Sequence, residues 1–555
     1  MKFSLIKYIL LTLIVLPIFG QDQPHRFSLE TSIEDTFLTS GLKSNIVAEV
    51  RIMKDSITWF GTGMGLALYD GHRVYAYQTT NESLDDGQYT YYLPKGGIPA
   101  IGVMGDTVAV SFSGDDGTIQ IGLGLALTYD AEDTNGVNWT YLSQPIDDNG
   151  DTLVPFGEGY YRQLPVTVPQ ANITYDISLA GDYLWTASWA GGLRRYDLTK
   201  NSWENVPMPM DNQLALSLCQ DSAFVDTTGK AILADYYLNP RDPSDGGNHN
   251  HKAFSVLAFG DTVWVGTADG INKGILIKEI VEDPDGNLEI YNCIEWVHYS
   301  YPNHSLSGNF VVGLAKQIWD GEKTIWAATL NADQSGEIRG LSFTRDDGLS
   351  WQTALLGERV YNVVARDSLV FAATASGLWK SLNGTNWAKF DPAIDTTFLS
   401  QKQILTDIVY TAALDHRDSI AKIWIGTPDG IALSSDLSGS NWSVFQTDYD
   451  SADVYAYPNP FSPFSHNQVG DDGYIRFHTG PIVNTEVKVD IFNFAMEKVH
   501  GRTYNLNNYH GAIKWDGRGQ DGDHVSNGVY FARLNFAYSK SRAPADFWIK
   551  IIMVK

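Results

Sequence analysis

Cysteine is scarce in this chain of 555 residues, because only Cys219 and Cys293 occur. Two cysteines are too few for a disulfide-built fold, and their spacing is not that of a metal site. They either form one bridge or remain two buried thiols. The sequence therefore predicts a fold that depends on a hydrophobic core, for which 43% apolar residues are ample.

Helical periodicity and positive charge are also in short supply. The chain has 51 Gly, 29 Tyr and 16 Trp but few runs with the spacing of amphipathic helices, which favours an all-β architecture. Its 39 Lys and Arg are outnumbered by 65 Asp and Glu. This acidity argues against nucleic acid binding and suits a solvated extracellular surface.

Long hydrophobic runs occur only at the start. Residues 1–20, "MKFSLIKYILLTLIVLPIFG", have two lysines and then an apolar stretch from Ile9 to Phe19. This pattern predicts a secretory signal peptide cleaved after Gly20. The alternative is an uncleaved anchor, but the run is shorter than the roughly 20 residues of a spanning helix. We therefore expect an exported mature chain without a transmembrane segment.

A glycine-rich stretch, "ITWFGTGMGLALYDG" at 57–71, returns as "LWTASWAGGL" at 184, "VWVGTADGI" at 263, "VFAATASGL" at 370 and "IWIGTPDGI" at 423. It lacks the Lys-Ser/Thr of a phosphate-binding loop, and a strand rather than a helix follows it. We therefore interpret it as an internal repeat. Gly63 and Gly65 are expected to take backbone conformations forbidden to other residues.

The repeat unit contains four short strands. Seven units begin near Ile46, Ile98, Ile173, Phe254, Phe310, Val360 and Ile408. Units of four strands and roughly 40 to 50 residues are typical of a β-propeller. The sequence predicts a seven-bladed β-propeller over residues 44–446, with six or eight blades as alternatives.

Two stretches carry a family resemblance for this region. The run "SGLKSNIVAEVRIMKDSITWFGTGMGLALYDGHRVYAY" resembles the propeller repeats in periplasmic sensor parts of two-component regulators. "TRDDGLSW" resembles the Asp-box of sialidase-like propellers, with Thr344, Asp346, Gly348 and Trp351 in place. The resemblance implies a structural role, in which Asp346 accepts backbone hydrogen bonds and Trp351 packs into the blade. It implies a fold rather than a function.

From Val454 the pattern changes to alternating strands separated by Asp/Gly turns, which predicts a β-sandwich of about 100 residues. This segment resembles the immunoglobulin-like, hook-cap-type domain that serves as the type A sorting signal of the type IX secretion system in Bacteroidetes. The approach to the last strand, 535–548, is longer than the family pattern. The matching residues are Tyr457, Pro458, Asn459, Pro460, Phe461, Trp515, Asp516, Gly517, Gly528, Tyr530 and the final strand Lys550 to Lys555.

The resemblance implies two export steps. The signal peptide 1–20 would direct passage to the periplasm, and domain 454–555 would engage the type IX machinery at the outer membrane. The family also implies that this domain is removed at the surface and that the propeller is then either attached to lipopolysaccharide at the outer-membrane surface or released as a secreted protein. The acidic linker 447–453 is the expected place for the cut, because it is polar and has no hydrophobic pattern.

Pairs of tyrosines precede a proline in the connections after the first four units. Outer-to-inner connections share a propeller face with the second-to-third-strand turns, so these rings could gather there to bind a glycan or a peptide. The alternative is that each pair packs against its own blade edge. The residues are Tyr91, Tyr92, Tyr160, Tyr161, Tyr236, Tyr237, Tyr299 and Tyr301.

The leading functional prediction is a non-enzymatic binding propeller without a cofactor or a metal site. A secreted glycan hydrolase is the alternative, and it would need two facing carboxylates roughly 5 to 10 Å apart. Glu158 and Asp235 flank the tyrosine pairs and are its candidates. A structural matrix or adhesion protein is a third alternative.

Overall fold

The structure is a computed structural model of the chain. It describes residues 38–53, 57–115, 117, 119–132, 137–150, 152–156, 159–219, 223–225, 231–240, 249–282, 288–390, 393, 395, 402–404, 406–418, 420–447, 454–464, 473–479, 486–505, 513–537 and 545–555. The predicted signal peptide lies outside these residues. So does most of the predicted linker.

Throughout the described ranges the chain is all-β, without a helix. The first strands are β1 (Leu38–Ser40), β2 (Val47–Ile52), β3 (Thr58–Thr62), β4 (Gly65–Tyr69), β5 (Val74–Tyr77), β6 (Thr79–Thr80), β7 (Tyr89–Thr90), β8 (Leu93–Pro94), β9 (Ile101–Met104), β10 (Thr107–Asp115), β11 (Gln120–Thr128), β12 (Trp139–Leu142), β13 (Leu153–Phe156), β14 (Gly159–Gln163), β15 (Thr174–Ala180), β16 (Tyr183–Ser188), β17 (Gly192–Asp197), β18 (Ser202–Asn205), β19 (Ala215–Ser217), β20 (Ala223–Val225) and β21 (Ala231–Leu238).

The remaining strands follow in the same order. They are β22 (Ala253–Phe259), β23 (Thr262–Thr267), β24 (Gly270–Glu282), β25 (Leu288–Tyr299), β26 (Phe310–Trp319), β27 (Glu322–Leu330), β28 (Gly340–Thr344), β29 (Gln352–Ala354), β30 (Val360–Arg366), β31 (Leu369–Thr374), β32 (Gly377–Ser381), β33 (Trp387–Lys389), β34 (Thr411–Asp415), β35 (Lys422–Thr427), β36 (Gly430–Ser434), β37 (Trp442–Phe445), β38 (Tyr455–Tyr457), β39 (Ile475–His478), β40 (Glu486–Phe492), β41 (Lys498–Asn505), β42 (Ile513–Trp515), β43 (Gly528–Phe536) and β44 (Ala545–Met553).

Seven antiparallel sheets, which we number ring sheets 1 to 7, follow one another along the described chain. Their strand orders are β1-β5-β4-β3-β2, β7-β12-β11-β10-β9, β15-β16-β17-β18, β19-β25-β24-β23-β22, β26-β27-β28-β29, β30-β31-β32-β33 and β34-β35-β36-β37. In each sheet four consecutive strands form a meander, as the repeat predicts. Their first strands begin within three residues of the predicted unit starts.

The first strands of the meanders contact one another in a closed, propeller-like ring. The contacts run from β2 to β9, β15, β22, β26, β30, β34 and back to β2. The two ends of the ring are joined by hydrogen bonds from the N–H groups of Thr447 and Gly430 to the Asn45 side chain and carbonyl, both at 2.7 Å. Arg417 of ring sheet 7 also donates to the Ile57 carbonyl of ring sheet 1 at 3.0 Å. The first and last repeats therefore complete one structure.

The hydrophobic cores lie between neighbouring ring sheets. The Trp of each "Trp-x-Gly-Thr" stretch points into one of these interfaces, and Trp59, Trp264 and Trp424 are fully buried. Trp424 packs against Phe60 at a ring-centroid distance of 5.2 Å, across the junction of ring sheets 7 and 1. Since each sheet buries its faces only against its neighbours, no sheet has a core of its own.

The repeated threonines and glycines form the turn between the second and third strands. The Thr62 hydroxyl donates to the Gly65 carbonyl at 2.6 Å and accepts from the Met64 N–H at 3.2 Å. Gly65 has φ +103°, which only glycine adopts without strain. Gly63 is not in that region of φ, so the prediction for it is wrong. A Cβ on Gly63 would instead lie 3.1 Å from the Ser44 hydroxyl.

An accessory sheet, β13-β14-β21-β20, interrupts the repeat around ring sheet 3. It shares a core with ring sheets 3 and 4. A disulfide joins Cys219, next to this segment, to Cys293 in β25 across a separation of 74 residues. The bridged alternative is therefore the correct one for the two cysteines.

The carboxyl-terminal residues form a two-sheet sandwich. One sheet has the order β38-β39-β42 and the other β41-β40-β43-β44. Both contribute to one core, in which Trp515, Phe461 and Ile551 are almost completely buried. The alternating pattern read from the sequence is seen most clearly in β43, where buried residues alternate with partly buried ones.

Candidate ligand-binding site at the mouth of the ring

The innermost strands of the ring sheets carry β-bulges close to their first residues. The register shifts at Val47/Glu49, Thr174/Asp176, Ala253/Ser255, Val311/Gly313 and Val360/Asn362, and both Tyr410 and Thr411 face Gly426 in ring sheet 7. A bulge leaves one residue unpaired and re-aims its side chain. The bulged residues are Ala48, Tyr175, Phe254, Val312 and Tyr361, and Tyr410 precedes the paired residues of β34.

Aromatic rings collect where these bulges occur. Tyr175 lies 5.4 Å from Phe254, and Phe254 lies 4.4 Å from Phe310, between ring centroids. Tyr361 and Tyr410 form a second, T-shaped pair at 5.4 Å. Because the strands that carry them follow one another round the ring, these half-buried rings lie at one end of the ring of inner strands. We call these five residues the aromatic mouth.

The aromatic mouth is asymmetric. Ring sheets 3 to 7 contribute its aromatic rings, whereas ring sheet 1 has the exposed Ala48 at the corresponding bulge. The guanidinium of Arg359 lies 5.4 Å from the centre of the Tyr361 ring. One side of the channel end therefore offers aromatic faces, and the other side offers space.

An ionic cluster of the buried Glu49 with the partly exposed Arg51 and Asp176 lies next to the bulges, and both carboxylates directly follow a bulged residue. Arg51 contacts Glu49 at 2.8 Å and Asp176 at 3.6 Å, which links ring sheets 1 and 3. The Arg51 Nε also donates to the Ile101 carbonyl at 3.1 Å. Asp176 accepts the Val256 N–H of ring sheet 4 at 2.9 Å. The cluster thus ties four consecutive ring sheets together beneath the aromatic mouth.

Burial dominates the electrostatics of this cluster. It raises the pKa of Glu49 to about 7, although Arg51 acts in the opposite direction. Burial likewise raises the pKa of Asp176, against the lowering effect of Arg51. Burial alone would lower the pKa of Arg51, but the two carboxylates raise it above its usual value. Buried charges of this kind need partners, and here each has one.

The tyrosines predicted as ligand-binding do not collect at this mouth. Tyr91 and Tyr92 follow β7, the outermost strand of ring sheet 2, and are exposed. Tyr237 is 52% exposed on the accessory sheet. Tyr160 and Tyr301 are half-buried. The predicted gathering on one face is replaced by a distribution over outer strands and the accessory sheet.

Three of the predicted tyrosines are core residues. Tyr161 and Tyr236 meet edge to face at 5.6 Å, and the Tyr236 hydroxyl donates to the Met208 carbonyl at 2.8 Å. Tyr299 packs against Trp264 between ring sheets 4 and 5, and burial raises its pKa to about 12. Their rings are enclosed by protein and do not form part of a surface.

The Asp-box residues form a closed turn after β28. The Asp346 carboxylate accepts the Thr344 hydroxyl and the Ser350 N–H, both at 2.8 Å. Hydrogen bonds from Ser350 and Thr344 lower the pKa of Asp346 to about 2. The Gly348 N–H donates to the Thr344 hydroxyl at 2.8 Å, and Trp351 is buried in the adjacent core. The turn lies away from the aromatic mouth, at the outer strands.

In the sandwich, Asn459 pairs with the last strand. Its side-chain amide donates to the Lys550 carbonyl at 2.6 Å and accepts the Ile552 N–H at 2.9 Å. The Phe461 N–H donates to the Ile552 carbonyl at 2.9 Å. The segment containing Tyr457, Pro458 and Pro460 therefore lies along β44 as a partial edge strand.

The other motif residues surround the same strand. Trp515 stacks near Phe461 and Tyr530 at 5.5 and 5.8 Å, and its indole N–H donates to the Arg518 carbonyl at 2.8 Å. Asp516 accepts the Arg518 N–H at 3.1 Å. Gly517 has φ +77° with no room for a Cβ beside Met553, and Gly528 begins β43.

The structure gives no distance between the two carboxylates of the hydrolase alternative. Glu158 lies outside the described residues, and so does the side chain of Asp235. Among the side chains that are described, no group of three or more His, Cys, Asp and Glu could hold a metal ion. No helix in the same part of the chain is long and apolar enough to cross a membrane.

Sequence reasoning missed the aromatic mouth. Its signal is an aromatic residue near the start of five successive units, in "TYD", "AFS", "NFV", "VYN" and "VYT", although Phe310 of "NFV" stands two residues before the bulged Val312. Aligning the units by their glycine turns leaves this column unnoticed, because it precedes the aligned stretch. The bulges near which these aromatic residues lie have no sequence signature of their own.

Comparison with known proteins gives only distant similarities. No protein-family model matches the chain, and no curated protein matches it. Among solved structures, it is similar to PorZ, an essential surface component of the type-IX secretion system of Porphyromonas gingivalis, at 15% identity and a TM-score of 0.31, over 92% of this chain and 66% of that one. The chain thus spans just under two thirds of PorZ.

Two further structures illustrate the range. YCF48 from Cyanidioschyzon merolae is 12% identical with a TM-score of 0.37, over 74% of this chain and 98% of that one. The extracellular domain of the hybrid two-component system BT4673 from B. thetaiotaomicron is 12% identical with a TM-score of 0.16, over 94% and 98%. These values carry no inference about function.

Proposed function

We propose that this chain is an exported, non-enzymatic binding protein. Ring sheets 1 to 7 are the blades of a seven-bladed propeller at 44–446, and residues 454–555 form an immunoglobulin-like domain. The disulfide between Cys219 and Cys293 supports an extracytoplasmic location, since such bonds persist in oxidising compartments. The predicted signal peptide 1–20 and the excess of acidic residues agree with this location.

The observation that carries the binding proposal is the aromatic mouth. Most large apolar side chains of the ring are buried between sheets, where they are needed for stability. The aromatic rings at the bulges are instead half-buried at the end of the channel. Rigid aromatic faces there suit a ligand with a flat apolar surface, such as a sugar ring or an apolar peptide side chain.

The test is a binding screen of the full chain on glycan and peptide arrays. Tyr361→Ala combined with Tyr410→Ala should abolish the signals of the wild-type protein, because it removes one aromatic pair. Tyr91→Ala combined with Tyr92→Ala is the matched control at the outer edge of ring sheet 2. If signals are lost only in this control variant, the outer tyrosines form the ligand site and the aromatic mouth does not.

The alternatives lack a supporting observation. A glycan hydrolase needs one carboxyl group to donate a proton while a second acts as base or nucleophile. Glu49 and Asp176 are both held by Arg51, so neither is available for this work. A purely structural matrix protein would not require aromatic rings at a channel end.

We further propose that domain 454–555 is the sorting domain of a type IX substrate and that 447–453 is the linker at which it is removed. The motif residues support this, because Asn459 and Phe461 pair with the last strand and Trp515 packs against Phe461. Deletion of 454–555 in a bacterium that has this system should leave the propeller in the periplasm.

A further inference from the structure

The sheet β41-β40-β43-β44 has aromatic residues on both faces. Its inward face fills the sandwich core with Val489, Leu534 and Ile551. Its outward face carries Phe492, Phe531 and Trp548, and Phe494 extends it at the tip of the β40–β41 hairpin. We call these four residues the aromatic face. The outward side of an antiparallel sheet is ordinarily polar, so the exposure of these rings to solvent needs an explanation.

The aromatic face is an ordered surface. Phe492 lies directly opposite Phe531, and its ring is 5.5 Å from Trp548. Phe494 is 78% exposed with its ring 6.4 Å from Phe531, and Trp548 is 51% exposed. The Arg533 guanidinium lies 5.7 Å from the Trp548 ring.

Arg533 is fixed in place on this face. Its Nη2 and Nε contact Asp546 at 2.6 and 3.1 Å, and this pairing raises the pKa of Arg533. An arginine held in one orientation beside a tryptophan loses little freedom when a partner binds. Exposed Trp, Phe and Arg in one contiguous patch are the composition of protein-binding hot spots.

The charge of the sandwich differs from that of the rest of the chain. Residues 454–555 contain 11 Lys and Arg against 9 Asp and Glu, whereas residues 21–453 contain 26 against 56. The exposed Lys550 lies opposite Phe531 and places a positive charge next to the aromatic face. An acidic partner surface would therefore be attracted to the sandwich and repelled by the propeller.

We propose that the aromatic face is the docking surface for an acidic protein of the export machinery. This inference rests on the proposed sorting role of 454–555. A protein surface fits the aromatic face, because exposed Trp, Phe and Arg in one patch are typical of protein-binding hot spots. Aromatic contacts supply most of the affinity, and Lys550 supplies charge complementarity.

The test follows export of the full chain in a bacterium with a type IX system. The fraction of propeller outside the cell is compared with the fraction in the periplasm. Phe494→Ala combined with Trp548→Ala should lower the exported fraction at least about fivefold, as expected for the loss of two hot-spot residues. Phe464→Ala is the matched control, since this phenylalanine is 62% exposed in the same sandwich and contacts His524.

The two proposals fail differently. If deletion of 454–555 leaves export unchanged, the proposed sorting role is wrong, and the proposed docking surface is then wrong as well. If the deletion stops export while the double variant is exported like wild type, the docking surface is wrong and the sorting role stands. Unchanged thermal unfolding of the purified double variant is required for a loss of export to count.

Charge substitutions provide a second test that does not alter the rings. Lys550→Glu should reduce export, and Lys550→Arg should not. Binding of the full chain to phosphatidylglycerol vesicles is measured alongside. If wild type binds these vesicles and Phe494→Ala does not, the face belongs to a membrane and the proposal is overturned.

Discussion

Two sets of positions at the same end of the ring sheets behave differently. In the turn between the second and third strands, Thr62, Thr267, Thr374 and Thr427 all donate to the carbonyl of a glycine three residues later. At the bulges of the inner strands the residue varies among Ala, Tyr, Phe and Val. Positions that the fold requires are the same in many copies, whereas positions that differ are available for binding.

The strongest way to sharpen this comparison is to remove a repeated core residue. Trp424→Ala should lower the free energy of unfolding by about 3 to 5 kcal/mol, because it empties the interface between ring sheets 7 and 1. Trp319→Ala is the control, since this tryptophan is 47% exposed. Chemical denaturation measures both. Equal losses would show that burial between sheets is not what stabilises the ring.

The sequence predicted the repeated part of the molecule well. The all-β character and the starts of the seven units are visible because each unit repeats the same turn bonds and the same buried aromatic position. A similar turn at Ser434–Trp442 was missed, although the Asp436 N–H donates to the Ser434 hydroxyl at 3.4 Å as the Asp346 N–H donates to that of Thr344. Its spacing is longer by one residue, which hides it from a fixed pattern.

The candidate site was predicted less well. The tyrosine pairs are conspicuous in the sequence, but their strands lie at the outer edges and in the accessory sheet. Whether a tyrosine before a proline is exposed depends on which strand packs over it, as Tyr161 and Tyr236 show. The aromatic mouth depends on bulges and on contacts between units, and neither is visible within one unit.

The disulfide lies in the region of the accessory sheet, which does not follow the repeat. Its removal tests how much the stability of this region depends on the bridge. Cys219→Ser with Cys293→Ser should lower the free energy of unfolding by about 2 to 4 kcal/mol, because the bridge closes a long loop in the unfolded chain. Unfolding of wild type with and without a thiol reductant measures this. The double variant should not respond to the reductant, and a response would point to another cause.

The ionic cluster makes a prediction about pH. The folded-state pKa of Glu49 is about 7 against an ordinary 4.5, so between these values the folded state binds more protons than the unfolded state. The free energy of unfolding should therefore fall as pH rises from about 5 to 7, by at most about 1.4 kcal/mol per pH unit.

Glu49→Gln should flatten this dependence, and Asp176 should leave a weaker slope of the same sign because its pKa is also raised. Thermal unfolding from pH 5 to 8 measures it. Glu82→Gln, at an exposed glutamate, is the control and should keep the wild-type slope. An unchanged slope in Glu49→Gln would show that Glu49 does not cause the pH dependence of stability.

The two glycines of the first turn differ in why an alanine would be unfavourable there. At one position the backbone conformation is the obstacle, and at the other it is the space available for a Cβ. Gly65→Ala should cost about 1 to 2 kcal/mol, because φ is +103° there and an L-residue is strained. Gly63→Ala should cost less, since its backbone is not in that region and the added Cβ would need small shifts of Ser44 and Ile46, whose Oγ and Cβ would lie at 3.1 and 3.3 Å. Urea denaturation compares the pair, and a larger effect at Gly63 would contradict the assignment of the turn.

A smaller loss of stability than that of Trp424→Ala is expected at the aromatic mouth. Tyr361→Ala with Tyr410→Ala removes one half-buried pair, so the lost ring pairing should lower the free energy of unfolding by about 0.5 to 1.5 kcal/mol, and the lost partial burial should add less than the full burial of Trp424 contributes. The same denaturation measurement as for Trp424→Ala checks this directly. A loss as large as that of Trp424→Ala would mean that the bulged aromatics hold the ring together, and the distinction between repeated and varying positions would no longer separate folding from binding.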